Sequence, residues 1–259
     1  PNVVKLFETF ESNKHIVVVM ELCAGGDLLN YVRKRRRLKE AYAKYIFKQI
    51  IEGIAHVHSK GVLHRDIKLD NILLDGKGVV KIADFGVSRI VTDINEKMTE
   101  QCGTPAYIAP EILRDNGYYG YACDLWSAGV VLYAMLYGTV PFKANNMNDL
   151  HKLIMKAKYT LKDDISEESR DLLKNFLERD PKKRFTVFDI MSHPWMQGIE
   201  ETMILFNEQE QQLIKNEFTF NNADRYNRNT KNKNLESIDS ARSRNTNFEL
   251  ASDCFTEQR

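Results

Sequence analysis

Apolar positions follow a two-residue period at the start of the chain and a helical period afterwards. Residues 3 to 22 hold two strand-like runs, VVKLFETF and HIVVVMEL, joined by the turn-prone ESNK, and this pattern predicts a hairpin. AGGD breaks the alternation, and Asp27 stands where an N-cap is wanted for a short helix, LLNYVRK. From 40 to 59, Ala43, Ile46, Phe47, Ile50, Ile51 and Ile54 recur at three- and four-residue spacing, which predicts an amphipathic helix. NILLD and VVKIA flank GKG, a second hairpin signal. Gly and Pro punctuate 84 to 120, which reads as loop. Residues 121 to 137 are apolar nearly all round and predict a buried helix, with amphipathic helices following to about 177 and near 186 to 191. Strands first and helices after is an α+β pattern.

Composition narrows the class. The chain has 259 residues, enough for one large domain or two modest ones. It is 43% hydrophobic and 28% charged, a soluble globular balance. A net charge of +1 argues against gripping nucleic acid by bulk charge. No apolar run is long enough for a transmembrane helix. Cys23, Cys102, Cys123 and Cys254 form no C-x-x-C pair, so free thiols in a reducing, cytoplasmic setting are expected, with the nucleus left open. Cys102 has no evident thiolate-stabilising neighbour and is not read as reactive. The first residue is Pro1, and the chain reads as an internal fragment of something longer.

Two segments need separate comment. VRKRRRLKE (32 to 40) is read as a solvated loop in preference to a nuclear signal or an acidic-partner patch. Residues 197 to 259 are Asn-rich and lack Pro; they read as a largely disordered tail with one amphipathic stretch, EQEQQLIKNEF, at 208 to 218. That stretch is expected to be regulatory. DRYNRNTKNKNLE (224 to 236) lacks the central Gly and alternating carboxylates of a calcium loop, and that reading is rejected.

The densest chemistry is HRDIKLDN, residues 64 to 71, in a loop between the long helix and the second hairpin. Asp66 and Asn71 are five apart, and hairpin geometry returns Asp84, of DFG, towards Asn71. A carboxylate with an amide oxygen is a hard pair suited to Mg²⁺, which completes its shell with substrate phosphates. Lys68 is a compact cation suited to a phosphate, and Asp66 is left to orient a hydroxyl. Each acid alone is more often a turn or cap residue. The ordered set HRDxKxxN, DFG and GTPAYIAPE makes the joint site reading the stronger one.

On these motifs the chain resembles the eukaryotic protein kinases over residues 1 to about 196. Lys68 and GTPAYIAPE are similar to the serine/threonine branch. DLWSAGVVLYAMLYGTVPF and MSHPWM are similar to the calcium/calmodulin-dependent kinase group. The resemblance implies a bilobal fold divided as a partial N-terminal lobe (1–22), a hinge with the C-terminal lobe (23–196) and the tail (197–259). It implies ATP and Mg²⁺ as cofactors and Ser/Thr proteins as substrates, with no nucleic acid. Asp66 would be the catalytic base, Lys68 would face the γ-phosphate, Asn71 and Asp84 would hold magnesium, and Thr104 would shape the site. Met20, the backbone of Glu21 and Cys23, Asp27 and Leu73 would surround the nucleotide, although Met20 and Leu73 equally suit plain core. Phe85 and Gly86 complete DFG. Asp124 would anchor the catalytic loop, and Glu111 would pair with Arg184. Glu100 would pair with Arg65 in a bidentate manner, as in kinases where an acid replaces the phosphorylated residue; the alternative is a solvated Glu100 with the neighbouring Thr99 phosphorylated instead. Asp27 and Asp70 imply substrates with basic residues before the acceptor. The tail implies a regulatory partner. HRDIKLDN departs from the commoner pattern at Leu69 and Asp70, between the chemical residues. A Gly-rich loop, a strand Lys and its Glu partner are not found in the sequence, so a pseudokinase scaffold stays open as the alternative.

Overall fold

The computed structural model describes residues 1–93, 96–114, 116–200 and 202–216. The first hairpin is β1 (Leu6–Glu11) and β2 (Ile16–Met20), antiparallel, with Leu6 opposite Met20 and an irregularity between Leu6 and Glu8. Its apolar residues Ile16, Val17, Val18 and Met20 are exposed, so the ladder holds it together rather than a core. The strand-like residues before it run beside the second hairpin: Val4 N donates to Ile82 O at 2.9 Å, and Ile82 N to Asn2 O at 2.8 Å.

A three-stranded sheet follows, ordered β3 (Gly26–Asp27), β5 (Ile72–Leu74) and β6 (Val80–Ile82). Asp27 ends β3 and caps α1 (Leu28–Arg35), its Oδ1 accepting from Asn30 N at 2.7 Å. That satisfies one of the helix's orphan donors. Arg33, Lys34 and Arg35 fill the last turn of α1, where cations oppose the helix dipole. The reading of 32 to 40 as a solvated loop holds for the exposed Arg36, Arg37 and Lys39 and is corrected for residues 32–35, which belong to α1; Arg35 is half-buried against Glu210, and Arg37 pairs with Asp164.

α2 (Glu40–Ser59) buries the six apolar positions that its period singled out. It packs on α3 (Gly120–Tyr137), which is buried along almost its whole length. α4 (Met147–Met155), α5 (Glu167–Phe176) and α6 (Val187–Ser192) close the helical body. Phe47 contacts the rings of Phe176 and Trp195 edge-on, which ties α2 to α5 and to the turn after α6. All strands of the described residues lie before residue 91, with α1 and α2 set among them and α3 to α6 following, an α+β arrangement in which the strands pair antiparallel. Among the described residues, no helix is long and apolar enough to cross a membrane.

Two departures stand out. The stretch from 84 to 120 is not only loop: β7 (Arg89–Ile90) pairs with β4 (Val62–Leu63), and Met98 bridges Tyr118. The tail is not detached from its beginning, because Leu205 and Phe206 are buried and residues 208–216 are helical. The rest of the expected tail, 217–259, with the rejected calcium loop, lies outside the described residues.

Candidate active site

The charged loop is suspended from α3. Asp124 is buried, and its carboxylate accepts from His64 N at 2.9 Å, Arg65 N at 2.8 Å and His58 Nε2 at 2.8 Å. Burial alone would raise its pKa; the His58 hydrogen bond and charge and the His64 contacts outweigh it and hold the carboxyl below its ordinary value. Three donors therefore stabilise the ionised acid. They also fix a strained backbone, because Arg65 sits at φ 65 in the left-handed region. His64 adds a further tie. Its Nε2 lies 2.9 Å from Ala83 O, and its ring meets Phe85 of DFG at 4.8 Å.

This suspension presents Asp66. Its Oδ1 accepts from Thr104 N at 3.0 Å and Thr104 Oγ1 at 2.8 Å. Its Oδ2 lies 2.7 Å from Lys68 Nζ, and Lys68 in turn reaches Thr104 Oγ1 at 3.0 Å. Burial pushes the Asp66 carboxyl up, but the bonds from Lys68 and Thr104 win and lower its pKa. The approach of 103–104 needs glycine: Gly103 has φ 106, and a Cβ there would stand 2.8 Å from Arg65 O.

Asn71 closes the loop, its Nδ2 donating to Asp66 O at 2.9 Å and to Asp66 Oδ2 at 3.1 Å. With its NH₂ turned inward, the amide oxygen is the atom left for a cation. The β5–β6 hairpin returns as expected, Ala83 N donating to Asn71 O at 2.9 Å, and Asp84 follows at φ 64 with Oδ1 accepting from Gly86 N at 3.2 Å. An amide oxygen and a carboxylate fit Mg²⁺, which takes few protein ligands. Among the described residues, no cluster of three His, Cys, Asp or Glu offers a metal cage.

The expected nucleotide-side residues are placed unevenly. Asp27 and Leu73 face each other in the β3–β5 register. Both Asp27 oxygens are engaged by Asn30, so in this structure Asp27 serves α1. Glu21 N donates to Lys5 O at 2.8 Å, and its carboxylate lies 2.6 Å from Lys81, which lowers its pKa. Cys23 O accepts from Gly26 N at 3.2 Å, shaping the turn into α1. Met20 is not core; it is 56% exposed.

Away from the reacting groups, Arg184 holds Glu111 through two bonds of 2.5 and 2.9 Å, with both side chains buried. Glu100 meets Arg65 through one bond of 3.2 Å rather than the expected fork. Both Glu100 oxygens instead lie 2.8 Å from Nη1 of Arg89, whose Nη2 reaches Glu96 at 2.5 Å. Arg89, His58 and His64 are the site-shaping residues that motif reading missed. His64 stands inside HRDIKLDN, two residues before Asp66, but His58 lies in the last turn of α2 with no motif to mark it, and Arg89 has no signal before its strand with β4 is known.

The arrangement is an ionised carboxylate beside a cation and a hydroxyl, next to a hard-oxygen pair. The protein kinase domain family matches residues 1–196. CBL-interacting protein kinase 31 of Oryza sativa subsp. japonica is 41% identical over 197 residues, covering 75% of this chain and 44% of that protein. Serine/threonine protein kinase OSK3 of Oryza sativa subsp. indica is 43% identical, over 76% of this chain and 39% of its own length. Calcium-dependent protein kinase 3 of Plasmodium berghei (strain Anka) is 41% identical, over 75% and 36%. The chain thus spans less than half the length of these relatives, and over that span it belongs to the protein kinase family.

Proposed function

We propose that this chain is the catalytic portion of a serine/threonine protein kinase that transfers the γ-phosphoryl of ATP to Ser or Thr hydroxyls. The supporting observation is the Asp66 carboxylate, kept ionised between Lys68 and Thr104. Asp66 accepts the proton of the acceptor hydroxyl and orients it for in-line attack. Lys68, 2.7 Å from Asp66 Oδ2, would face the transferring phosphoryl as it develops charge. Asn71 and Asp84 would hold Mg²⁺, which when bound neutralises phosphate charge. The backbone of Glu21 and Cys23, with Met20, Asp27 and Leu73, would receive the nucleotide. Asp70 is exposed beside the loop and, with Asp27, favours substrates carrying Arg or Lys before the acceptor. The matching relatives are named as kinases, and a reducing, cytoplasmic setting suits a sequence whose cysteines form no C-x-x-C pair.

The test is phosphate transfer from Mg·ATP to a basic Ser/Thr peptide library by the full-length protein, with nucleotide affinity measured by calorimetry. Asp66→Asn is expected to lower kcat by about 10²–10⁴ while nucleotide affinity holds, the range for losing a positioned base. Equal transfer by mutant and wild type would remove Asp66 from this role. Nucleotide binding without transfer by the wild type would favour a pseudokinase.

A further inference from the structure

Residues 203–214 lie beyond the matched family domain, yet they pack across two turns of the fold. Phe206 is 6% exposed and Leu205 3%. The Phe206 ring meets Tyr31 of α1 edge-on, with centroids 5.9 Å apart. It also lies so close to Gly25 that a Cβ there would fall 2.6 Å from Phe206 Cζ. Leu205 covers the β5–β6 turn, where a Cβ on Gly78 would stand 3.1 Å from its side chain. Ile214 reaches Gly76 of the same turn.

Polar contacts fix the same segment to α1. Tyr31 Oη donates to Leu205 O at 2.9 Å, and burial pushes the Tyr31 hydroxyl up to about 12, so it stays a donor. Arg35 Nη2 reaches both Glu210 oxygens at 2.8 Å, and its guanidinium lies 3.8 Å from the Tyr31 ring centroid. Glu210 also starts the helix at 208–216: its N–H donates to Asn207 Oδ1 at 2.8 Å, and its Oε2 accepts from Asn207 N at 3.0 Å. One carboxylate therefore orders the helix start and holds α1.

The turn gripped in this way, 23–27, carries the Cys23 backbone and Asp27. Gly25 N donates to Leu74 O at 2.9 Å, so the turn is pinned to β5 on one side and to Phe206 on the other. Among the described residues, the hydrogen bonds and ring contacts of this segment go to α1 and the glycine turns, not to Asp66, Lys68, Asn71 or Thr104. It grips the outside of the turn and leaves the reacting groups uncovered.

We propose that residues 203–214 are a strap that fixes the 23–27 turn and so sets nucleotide affinity, with Phe206 as its positioning residue. The nucleotide part rests on the kinase reading above. In the full-length protein, Phe206→Ala, Phe206→Leu and Glu210→Gln are compared by hydrogen exchange at 23–27 and by steady-state kinetics. Phe206→Ala is expected to speed exchange of the Gly25 and Gly26 amides about tenfold and to raise KM for ATP about fivefold, with kcat within about twofold. Phe206→Leu retains most of the apolar contact and is expected to recover most of both effects. If Phe206→Ala does not fold, Glu210→Gln carries the same comparison, since it keeps a capping oxygen and removes the charge. A lower melting temperature with unchanged exchange and KM makes the segment merely structural and overturns the proposal. A lower KM or higher kcat makes it inhibitory and overturns it equally. If the wild type transfers no phosphate, the kinase reading fails, and exchange at the turn alone decides the strap.

Discussion

Arg65 and Glu100 meet at 3.2 Å, although 35 residues of chain separate them. Arg65 follows the suspended His64 and precedes Asp66, so whatever holds its guanidinium also holds the loop. Arg65 Nε donates to Val87 O at 2.5 Å, and Arg89 binds the other side of Glu100. Tyr118 donates to Glu100 O at 2.7 Å. A carboxylate held between two arginines ties this segment to the catalytic loop. In protein made without upstream kinases and treated with phosphatase, Glu100→Val is expected to lower kcat/KM about tenfold or more, and Thr99→Val to leave it unchanged. An enzyme inactive until Thr99 is phosphorylated would show that Glu100 is not the switch.

The grouping of the candidate site residues was legible because their spacing is short: Asp66, Lys68 and Asn71 share one loop, and a hairpin of known geometry returns the chain to Asp84. The buried helices were legible because their period is local. Arg89 was not, since its value depends on a two-residue strand pairing with β4, below any pattern threshold. The placement of Glu100 was anticipated, but its geometry was not, because Arg65 has a second acceptor in Val87 and Arg89 competes for both oxygens. The strap was hidden by composition. Leu205 and Phe206 are two apolar residues ahead of a polar stretch, and the glycine turns they cover, with Tyr31 of α1, give them a place to bury.

The Glu111–Arg184 pair gives a stability prediction. Arg184 is fully buried as a side chain and also donates to Ala122 O and Glu178 O, so it joins three segments. Arg184→Ala strands the Glu111 carboxylate in the interior. The expected loss is about 3–5 kcal/mol by urea unfolding. Arg184→Lys is expected to recover only part of it, because one ammonium cannot reproduce the fork. A loss below 1 kcal/mol in both would mean that the pair is not holding the two segments.

Asp124 links stability to pH. Its carboxyl titrates below its ordinary value because His58 and backbone N–H groups oppose the burial that would raise it. The lowered folded pKa means that its stabilising contribution is complete above the ordinary carboxylate range. That contribution is lost as pH falls through the lowered value. Asp124→Asn is expected to cost about 2–4 kcal/mol at neutral pH, because charged acceptors for three donors become one amide oxygen. Its cost should shrink in acid, where the wild type loses the same charge. Melting temperatures of both proteins from neutral pH downward check this; parallel curves would assign the acid dependence to other groups.

Lys68 controls the protonation of Asp66. Burial raises the Asp66 pKa and the Lys68 bond is the largest effect opposing it, with Thr104 next. The net lowering keeps Asp66 ionised to below its ordinary range, so the acid limb of kcat/KM in the wild type should not report Asp66 near neutrality. Lys68→Met removes the leading opposing contact and leaves the burial. The Asp66 pKa then rises, and the acid limb should move up in pH, towards the working range. The rate at its plateau is also expected to fall about 10²-fold, since a cation beside the developing charge is gone. Thr104→Val should move the limb in the same direction by less, since the Thr104 backbone N–H still donates to Asp66 Oδ1. A pH profile for Lys68→Met that is only scaled down, with its acid limb in place, would mean that Asp66 is not the group titrating in the reaction.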